Sequence, residues 1–380
     1  MGLHAVSKMK ALVLGLGVSG KSAQNFLEKR GVSVVGVDDT LAPQKIDNLS
    51  GFDLFVPSPG IAKTHPLYQM AIEQKIPIKG EAELALEACT VPCIGVTGTN
   101  GKTTVVKMIE HCLNANGVEA KAVGNVGMPL TSCEQKGIWI VELSSFQLET
   151  LHAIVFDVGL VLNIEEDHLD RYESFHDYAM AKAHLENCIK EKGDLFVHES
   201  VDEGLFSKPF QYFVGHNEMA ARLACAHFGI KNFDALLSFE KPPHRLEFVT
   251  QIDDVAYYND SKATNVAAVL NALEEIDSDV VLIIGGQDKD LSFEPLRQAR
   301  KKLAHVIVFG QAREKIADAL QGLSDVHKVE TLHQAVEKAA LCAKKADVVL
   351  FSPGCASFDA FKNYEERGEA FKRIVRRRIS

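Results

Sequence analysis

Two glycine-rich segments of this sequence could bind the phosphates of a nucleotide. In the first, "VLGLGVSGKS" at residues 13–22, Gly15, Gly17 and Gly20 match the G-x-G-x-x-G pattern of a dinucleotide-binding turn. The same segment also matches the G-x-x-x-x-G-K-[ST] pattern of a phosphate loop. The second, "GVTGTNGKTT" at residues 95–104, misses that pattern by one residue, because Val96 stands where the first glycine would fall. The acidic residues that follow each segment separate the two interpretations.

The second segment has the acidic partner that ATP chemistry requires. The predicted strand "GIWIV" runs into Glu142, a carboxylate that could hold the magnesium ion bridging the phosphates. Lys102 and Thr103 open the following helix, and the backbone N–H groups of residues 98–103 would surround the phosphates. Gly98 and Gly101 allow the backbone to come close to them. The sequence therefore predicts that this segment binds ATP.

The first segment is followed instead by Asp38 and Asp39, about 20 residues beyond its glycines. Carboxylates at that distance accept hydrogen bonds from a ribose in dinucleotide folds, and two of them suit a sugar better than a triphosphate. We therefore interpret Lys21 and Ser22 as ordinary residues of a first helical turn and the phosphate-loop match as a coincidence.

Three successive stretches of the chain alternate predicted strands and helices, which is typical of parallel sheets covered by helices. Helices are predicted through Lys29, from Lys102 to about Asn114, from Tyr178 to Ile189 and from Asn217. The segment "RLEFVTQIDDVAYYND" predicts a hairpin, and the tandem prolines of "FEKPPHR" predict a boundary. We predict an α/β fold of three domains: a Rossmann-like domain at 1–92, a central P-loop domain at 93–241 and a Rossmann-like C-terminal domain at 242–380.

Composition excludes several classes of function. A formal net charge of −10 argues against general affinity for nucleic acid. No apolar run approaches the roughly 20 residues that cross a bilayer, and the N-terminus lacks the apolar region of a signal peptide, which predicts a cytoplasmic protein without membrane contact. The eight cysteines are scattered without a C-x-x-C, so we expect reduced thiols and neither a zinc site nor a disulfide framework.

From "GVTGTNGKTT" onward the sequence resembles the Mur ligase family, ATP-dependent amide-forming enzymes of peptidoglycan synthesis that share a T-G-T-N-G-K-T loop. Further segments resembling this family occur in all three predicted domains. They are "GNVG" at 124–127, "VELSSFQLE" at 141–149, "LNIEEDHLDRY" at 162–172, "AKAHLEN" at 181–187, "PHRLE" at 243–247, "NDSKATN" at 259–265 and "SPGCASFDAFKNYEERG" at 352–368. "SSFQLE" and "NDSKATN" resemble the branch that joins D-glutamate to UDP-N-acetylmuramoyl-L-alanine.

The resemblance implies that ATP activates a carboxylate as an acyl phosphate, which the D-glutamate amine then attacks. Two anions must approach each other in the first step, so magnesium ions and a lysine are needed to screen them. The resemblance assigns catalytic roles to Lys102, Asn125, His168 and Lys182. It assigns two magnesium sites to Thr103, Glu142, His168 and a carbamylated Lys182. From residue type alone, His168 would be a helix-start residue and Lys182 a surface lysine of an amphipathic helix.

The resemblance also implies three binding sites, which a closure of the C-terminal domain would complete. The ATP site would comprise Gly98, Thr99, Asn100, Gly101, Lys102, Thr103, Thr104, Asn217, Arg245 and Asp260. The UDP-substrate site, formed at the first glycine segment, would comprise Val18, Ser19, Asp38, Ser58, Pro59, Gly60 and Asn125. The D-glutamate site would comprise Lys262, Thr264, Lys289, Ser357, Phe358 and Tyr364. Two lysines and hydroxyl groups suit a dicarboxylate.

The sequence departs from the family pattern in a few places. Thr40 replaces an arginine near the uracil, Ala220 replaces an asparagine near the adenine, and Tyr364 replaces a phenylalanine. The central domain is also several tens of residues short, between Ser200 and Asn217. We expect a monomer acting on small molecules.

Three alternatives remain open. An NAD-dependent oxidoreductase built on the first segment would leave Lys102, Glu142 and His168 without a role. A binding protein without turnover would be expected to lack a lysine or a magnesium ligand, and none is missing. A sister ligase for another amino acid, including the related folylpolyglutamate synthases, would retain the same ATP chemistry.

Overall fold

The computed structural model of the chain describes residues 9–39, 46–169, 171–322 and 325–379. The chain divides into two compact units. Unit 1 comprises residues 1–164 and 176–239, and unit 2 comprises residues 165–175 and 240–380. The chain therefore leaves unit 1 after residue 164, returns at residue 176 and enters unit 2 again at residue 240.

The N-terminal part of unit 1 is a three-stranded parallel sheet with three helices. Its elements are β1 (Lys10–Leu14), α1 (Val18–Lys29), β2 (Ser33–Val37), β3 (Leu54–Pro57), α2 (Pro66–Glu73) and α3 (Glu81–Glu87). The strands lie in the order β2-β1-β3. Leu12 and Leu14 enter one apolar cluster and Ala11 and Val13 another. Both faces of β1 are thus buried, as is usual in a parallel sheet.

The larger part of unit 1 is a six-stranded parallel sheet in the order β5-β6-β4-β7-β8-β9. Its elements are β4 (Cys93–Thr97), α4 (Lys102–Ala115), β5 (Ala120–Gly124), β6 (Ile138–Glu142), α5 (Ser145–Leu148), β7 (Phe156–Val161), α6 (Phe175–Ala183), β8 (Ile189–His198), β9 (Gln211–Phe213), α7 (Asn217–His227) and α8 (Asp234–Leu237). Strands β4 and β6 are buried along their whole length. The carboxyl ends of β4, β6 and β7 therefore open at one edge, where parallel α/β sheets bind ligands.

The two sheets of unit 1 are joined through Thr131. Its hydroxyl lies 2.7 Å from the hydroxyl of Ser22 on α1, and both its hydroxyl and its N–H donate to the buried carboxylate of Glu81. Burial raises the pKa of Glu81 despite these hydrogen bonds. Ser22 thus takes part in packing the two sheets together.

Unit 2 contains one six-stranded sheet, in the order β10-β11-β15-β12-β13-β14. Its elements are β10 (Glu247–Ile252), β11 (Val255–Asn259), α9 (Val266–Glu274), β12 (Val280–Gly285), β13 (Leu303–Phe309), α10 (Arg313–Ala319), β14 (Asp325–Lys328), α11 (Leu332–Cys342), β15 (Val348–Phe351) and α12 (Tyr364–Arg376). Only the β10–β11 pair is antiparallel, so the predicted hairpin is confirmed. Buried apolar clusters cover both faces of the sheet.

One predicted helix is partly wrong. The helix predicted from Tyr178 to Ile189 is α6, which ends at Ala183, followed by a 3₁₀ helix over His184–Cys188. Leu185 and Cys188 are both fully buried. A spacing of three eclipses them on a 3₁₀ helix, and because it also places them on one face of an α-helix, the sequence pattern does not separate the two. Ile189 already begins β8.

Among the described residues, no helix combines the length and apolar character that crossing a bilayer requires.

Candidate active site

The second glycine segment forms a tight loop between β4 and α4. The strand ends at Thr97 and the helix begins at Lys102. Gly101 has φ +83°, and a Cβ atom on it would lie 2.6 Å from Oδ1 of Asn217, the first residue of α7. Glycine is therefore required both for the backbone conformation and for the close approach of Asn217. The predicted ATP residue Asn217 lies directly against the loop.

Asn163, which follows β7, fixes the shape of this loop. The N–H of Thr99 donates to its carbonyl oxygen at 2.9 Å, and the N–H of Asn100 donates to its Oδ1 at 2.8 Å. Its Nδ2 donates back to the carbonyl of Asn100. Two of the amides predicted to surround phosphates are thus engaged with Asn163. The sequence analysis did not assign Asn163, although it lies within a quoted motif and just beyond the strand that pairs with β4.

Two lysines converge on the carbonyl oxygen of Gly98. Nζ of Lys102 donates to it at 2.6 Å and to the carbonyl of Thr99 at 2.8 Å. Nζ of Lys182 donates to the same oxygen at 2.8 Å and lies 4.8 Å from the centre of the Tyr178 ring. Only 2% of Lys182 is exposed, which rules out the surface position that its residue type suggested. The loop thus gathers positive charge where an anion would bind.

Glu142 brings a buried carboxylate to the same edge of the sheet. It ends β6, next to β4, and is 3% exposed. Nδ2 of Asn125 donates to its Oε1 at 3.0 Å, and the Asn125 N–H donates to its backbone carbonyl. Its Oε2 is buried and, within the described residues, accepts no hydrogen bond. A buried carboxylate oxygen without a donor is costly unless a cation satisfies it, so the site fits a magnesium ion. Thr103, also predicted as a ligand, is half-buried in the first turn of α4.

The first glycine segment is built differently. Helix α1 begins at Val18, so Lys21 lies at the end of its first turn and Ser22 just beyond that turn, rather than at the helix start. Oδ2 of Asp38 accepts a hydrogen bond from the N–H of Leu16 at 2.6 Å, and the Ser58 hydroxyl donates to the Gly15 carbonyl at 2.7 Å. These contacts support the interpretation of the phosphate-loop match as a coincidence.

The remaining residues predicted for the UDP-substrate site differ in how far they are exposed to solvent. Val18 is 76% exposed, and Ser19 is half-buried in the first turn of α1. Pro59 and Gly60 lie in the turn after β3. Thr40 lies outside the described residues.

In unit 2, Arg367 holds together two loops that carry predicted D-glutamate residues. The arginine is fully buried. Its guanidinium donates to the hydroxyl and carbonyl of Ser261 and to the carbonyls of Cys355 and Ala356, at 2.8–3.1 Å. Burial lowers the pKa of Arg367 to about 10. The sequence analysis did not assign Arg367, because its partners are backbone atoms that no motif identifies.

Lys262 and Ser357 flank the residues bound by Arg367. Nζ of Lys262 lies 3.9 Å from the centre of the Tyr364 ring, an arrangement in which the ring face attracts the ammonium group. Ser357 is 3% exposed, whereas Phe358 is 70% exposed. Thr264, two residues after Lys262, is half-buried.

Asp260, predicted to contact ribose, is buried at the end of β11. Its carboxylate accepts hydrogen bonds from the Ser352 hydroxyl at 2.8 Å and from the N–H of Leu246 at 3.1 Å. Burial raises its pKa to about 7, although these hydrogen bonds and the charge of Arg245 act in the opposite direction. Leu246 and His244, the two neighbours of Arg245 in the chain, have φ of +45° and +65°. The backbone around Arg245 is therefore strained, a feature common at binding sites.

Lys289 is paired with Asp167 in this structure. Its Nζ lies 3.0 Å from Oδ1, while Nδ2 of Asn265 donates to Oδ2 at 3.1 Å. Burial tends to raise the pKa of Asp167, but the charges of Lys289 and His168 outweigh it and the pKa lies below its usual range. The sequence analysis did not assign Asp167, because residues 165–167 are all acidic and the sequence does not indicate which of the three carboxylates is buried. His168 has φ +55° in a loop, so it does not start a helix.

The predicted residues thus form two groups. Unit 1 brings together Lys102, Asn125, Glu142, Lys182 and Asn217 around the loop after β4. In unit 2, Lys262 lies over the Tyr364 ring and Lys289 is paired with Asp167. Glu142 belongs to unit 1 and His168 to unit 2, so their shared magnesium ion stays a prediction. Ala220 is fully buried in the apolar core beside α4, where it contributes packing.

Comparison with known proteins identifies the family. The Mur ligase middle domain matches residues 96–225, and the domain described as "Mur ligase, glutamate ligase domain" matches residues 244–355. A UDP-N-acetylmuramoylalanine–D-glutamate ligase from Protochlamydia amoebophila is 41% identical over 433 aligned residues, covering 97% of this chain and 98% of that protein. This chain belongs to the Mur ligase family. Ligases of the same name from Chlamydia felis and a Geobacter species are each 36% identical to this Mur ligase, over 97% of its length and 97–98% of theirs.

Solved structures confirm the predicted α/β class. MurF from Thermotoga maritima, in complex with ADP, gives a TM-score of 0.61 at 15% identity and covers 98% of this chain and 96% of its own. MurC from the same organism gives 0.60 at 16% identity, covering 97% and 100%. At such identities the likeness concerns the fold. The 433-residue alignment also exceeds the 380 residues of this chain, so the Protochlamydia ligase carries additional residues.

Proposed function

We propose that this Mur ligase uses ATP to join D-glutamate to UDP-N-acetylmuramoyl-L-alanine in peptidoglycan synthesis. The observation that carries the proposal is the loop after β4, where Lys102 and Lys182 converge on one carbonyl. At the same edge of the sheet lies the buried Oε2 of Glu142, which accepts no hydrogen bond from the part of the chain that the structure describes. Such a set of charges suits a nucleotide triphosphate with its magnesium ion. The names of the similar ligases support the choice of substrates.

In the proposed reaction a carboxylate oxygen of the UDP-linked substrate attacks the γ-phosphorus, and ADP leaves. The D-glutamate amine then attacks the acyl carbon, loses a proton and expels inorganic phosphate. Lys102 would neutralise the β- and γ-phosphates, and the Asn125 amide would orient Glu142 and contact the activated carboxyl group. Glu142 and Thr103, with His168, would hold magnesium, which supplies charge screening between the two anions. Asn217, Arg245 and Asp260 would bind the rest of ATP.

We propose that Lys182 acts as a carbamate. The position of its nitrogen, buried and 2.8 Å from the Gly98 carbonyl, supports this role, since one N–H remains after addition of CO₂ and can keep that hydrogen bond. Addition of CO₂ would change the Lys182 side chain from a cation to an anion, with two carbamate oxygens next to the magnesium ligands. Carbon-13 NMR of protein exposed to labelled bicarbonate tests this: a carbamate signal is expected in the wild type and should be absent from Lys182→Arg.

Unit 2 is proposed to bind D-glutamate. Lys262, Lys289 and Ser357 would bind its two carboxylates, with Thr264, Phe358 and Tyr364 forming the rest of the pocket. The pairing of Lys289 with Asp167 supports a role in binding anions, because the lysine already faces a carboxylate. We infer that substrate binding exchanges one carboxylate partner for another.

Phosphate release from ATP in the presence of magnesium and UDP-N-acetylmuramoyl-L-alanine tests the function, with D-glutamate compared against L-glutamate, L-alanine and meso-diaminopimelate. Turnover only with D-glutamate is expected. Turnover with another amino acid would replace the proposed substrate by that of a sister ligase. Absence of turnover in the wild type, with ATP still bound, would support the binding protein instead. Lys102→Met should abolish turnover with whichever amino acid the wild type uses.

We further propose that the enzyme works as a monomer in the cytoplasm. The proposed use of ATP supports the location, and all the assigned residues lie within a single chain, which supports a monomer. Sedimentation of the purified protein at micromolar concentration tests the oligomeric state, with a single species of one chain expected.

A further inference from the structure

Three potential metal ligands of unit 2 have no role in the proposed reaction. They are His305 on β13, His327 on β14 and Cys342 at the end of α11. One ligand atom from each lies within 4.8 Å of the other two. The thiol sulfur of Cys342 is 3.6 Å from Nε2 of His327. These residues are far apart in sequence, so their spacing does not reveal them.

The sheet register explains why they meet. Strands β13 and β14 are parallel, with His305 opposite Asp325 and Ile307 opposite His327. Residues two apart point to the same face of a strand, so His305 shares its face with Ile307. Helix α11 packs on that face, where Ile307 belongs to an apolar cluster to which Cys342 is adjacent. The end of the helix therefore brings the thiol over the two imidazoles.

The geometry and chemistry of the cluster suit zinc. Zinc lies about 2.3 Å from a thiolate sulfur and about 2.0–2.1 Å from an imidazole nitrogen, and two such ligands at the tetrahedral angle are about 3.6 Å apart. That is the separation of Cys342 and His327. Nδ1 of His305 is buried and, among the described residues, has no hydrogen-bond partner, with the nearest Asp325 carboxylate oxygen 3.8 Å away. An imidazole nitrogen left without a partner is available to a metal.

The cluster is separate from the candidate active site. Loops at the carboxyl ends of the strands, including residues 286–289 and 352–357, carry the residues proposed to bind D-glutamate. His305 lies four residues before the end of β13, or about 13 Å from that edge at 3.3 Å per residue. A ligand bound here would not enter the proposed D-glutamate pocket.

We propose that His305, His327 and Cys342 form a binding site for one Zn²⁺ ion, with solvent as the fourth ligand. On binding, the thiol proton of Cys342 passes to the solvent and the thiolate coordinates the metal. The ion would tie β14, at the edge of the sheet, to β13 and to the end of α11. Its role would be to stabilise this edge of unit 2, since a ligand that binds only the folded state stabilises it.

The test is calorimetric titration of the full-length, metal-free protein with Zn²⁺ alone, in buffer containing excess Mg²⁺ to occupy sites that prefer hard cations. The wild type should bind one more equivalent than Cys342→Ser and than His327→Gln. Two matched controls, His333→Gln on the exposed face of α11 and Cys133→Ser in unit 1, should bind as the wild type does. Zn²⁺ should also raise the melting temperature of the wild type and the controls more than that of the two ligand variants.

Equal stoichiometry in the wild type and both ligand variants would overturn the proposal. Cobalt provides a second measurement that needs no folded variant. Co²⁺ added to the wild type should produce a thiolate-to-metal charge-transfer band of a tetrahedral site, and Cys133→Ser should retain it. A wild-type spectrum without that band would equally overturn the proposal.

Discussion

Replacing Arg367 by methionine should destabilise unit 2 far more than a typical substitution on the same helix. Methionine fills much of the same space but has no hydrogen-bond donor. The carbonyls of Ser261, Cys355 and Ala356, together with the Ser261 hydroxyl, would lose the donors that the guanidinium provides. Because Arg367 is fully buried, water cannot replace these donors without opening the structure.

The magnitude follows from the number of acceptors. Each buried acceptor left without a donor costs about 1–3 kcal/mol. The carbonyls of Ser261 and Cys355 would be left so, whereas the Ala356 carbonyl still accepts a hydrogen bond from the N–H of Gln287 at 2.9 Å. Methionine also removes the cost of burying a charge, which offsets part of the loss. We expect a net loss of about 3–5 kcal/mol in the free energy of unfolding, the range typical when a buried charged network is broken. For a unit of this size, that corresponds to a fall in melting temperature on the order of 10 °C.

Urea denaturation followed by two signals can assign the loss to unit 2. The single tryptophan, Trp139, belongs to unit 1 and reports on it by fluorescence, whereas far-ultraviolet circular dichroism reports on both units. Arg367→Met should shift part of the dichroism transition to lower urea. Arg373→Met, on the exposed side of α12, is the control and should change stability by less than about 0.5 kcal/mol. Equal stability of the two variants would refute the assignment of Arg367 as the residue that holds these loops.

Three further predictions concern the candidate site. Gly101→Ala should weaken ATP binding at least about tenfold, because its Cβ would strike Asn217; Gly117→Ala has a similar φ but open space and should leave the KM for ATP unchanged. Glu142→Gln should lower the rate constant of a single turnover by about 10²–10³-fold, and a smaller loss would count against a magnesium role. The pKa of Asp260 rises from 3.8 to about 7 on folding, so the wild type loses stability between about pH 4 and pH 7 as the carboxyl ionises in the unfolded chain first. The stability of Asp260→Asn relative to the wild type should therefore increase between pH 5 and pH 8. Urea midpoints of the two proteins that change with pH in parallel would contradict this.

The parts of the site predicted from sequence are those in which strand order alone places the residues. Lys102 and Glu142 could be assigned because each follows a buried strand, and the carboxyl ends of parallel strands open at one edge. Asn163 and Asp167 could not be assigned in this way. Their roles depend on partners, the loop amides and Lys289, that only the folded chain brings near.

Local periodicity also had limits in the fold. The helix predicted to Ile189 ends early because Leu185 and Cys188 are buried at a three-residue spacing that the helical pattern does not distinguish. Strands β5 and β14 and helix α2 were not predicted, since the strands have five and four residues and the helix eight, too few to show a clear period. Tertiary packing decided these elements.

The path of the chain through the two units limits how this enzyme can be divided into gene fragments. Residues 165–175 belong to unit 2 but are encoded in the middle of unit 1. A fragment of residues 240–380, cut at the apparent domain boundary, would lack Asp167 and leave Lys289 without its buried carboxylate. The C-terminal module therefore cannot be exchanged between ligases as one continuous segment, and recombination that grafts a foreign amino-acid-binding module must carry both pieces of sequence together.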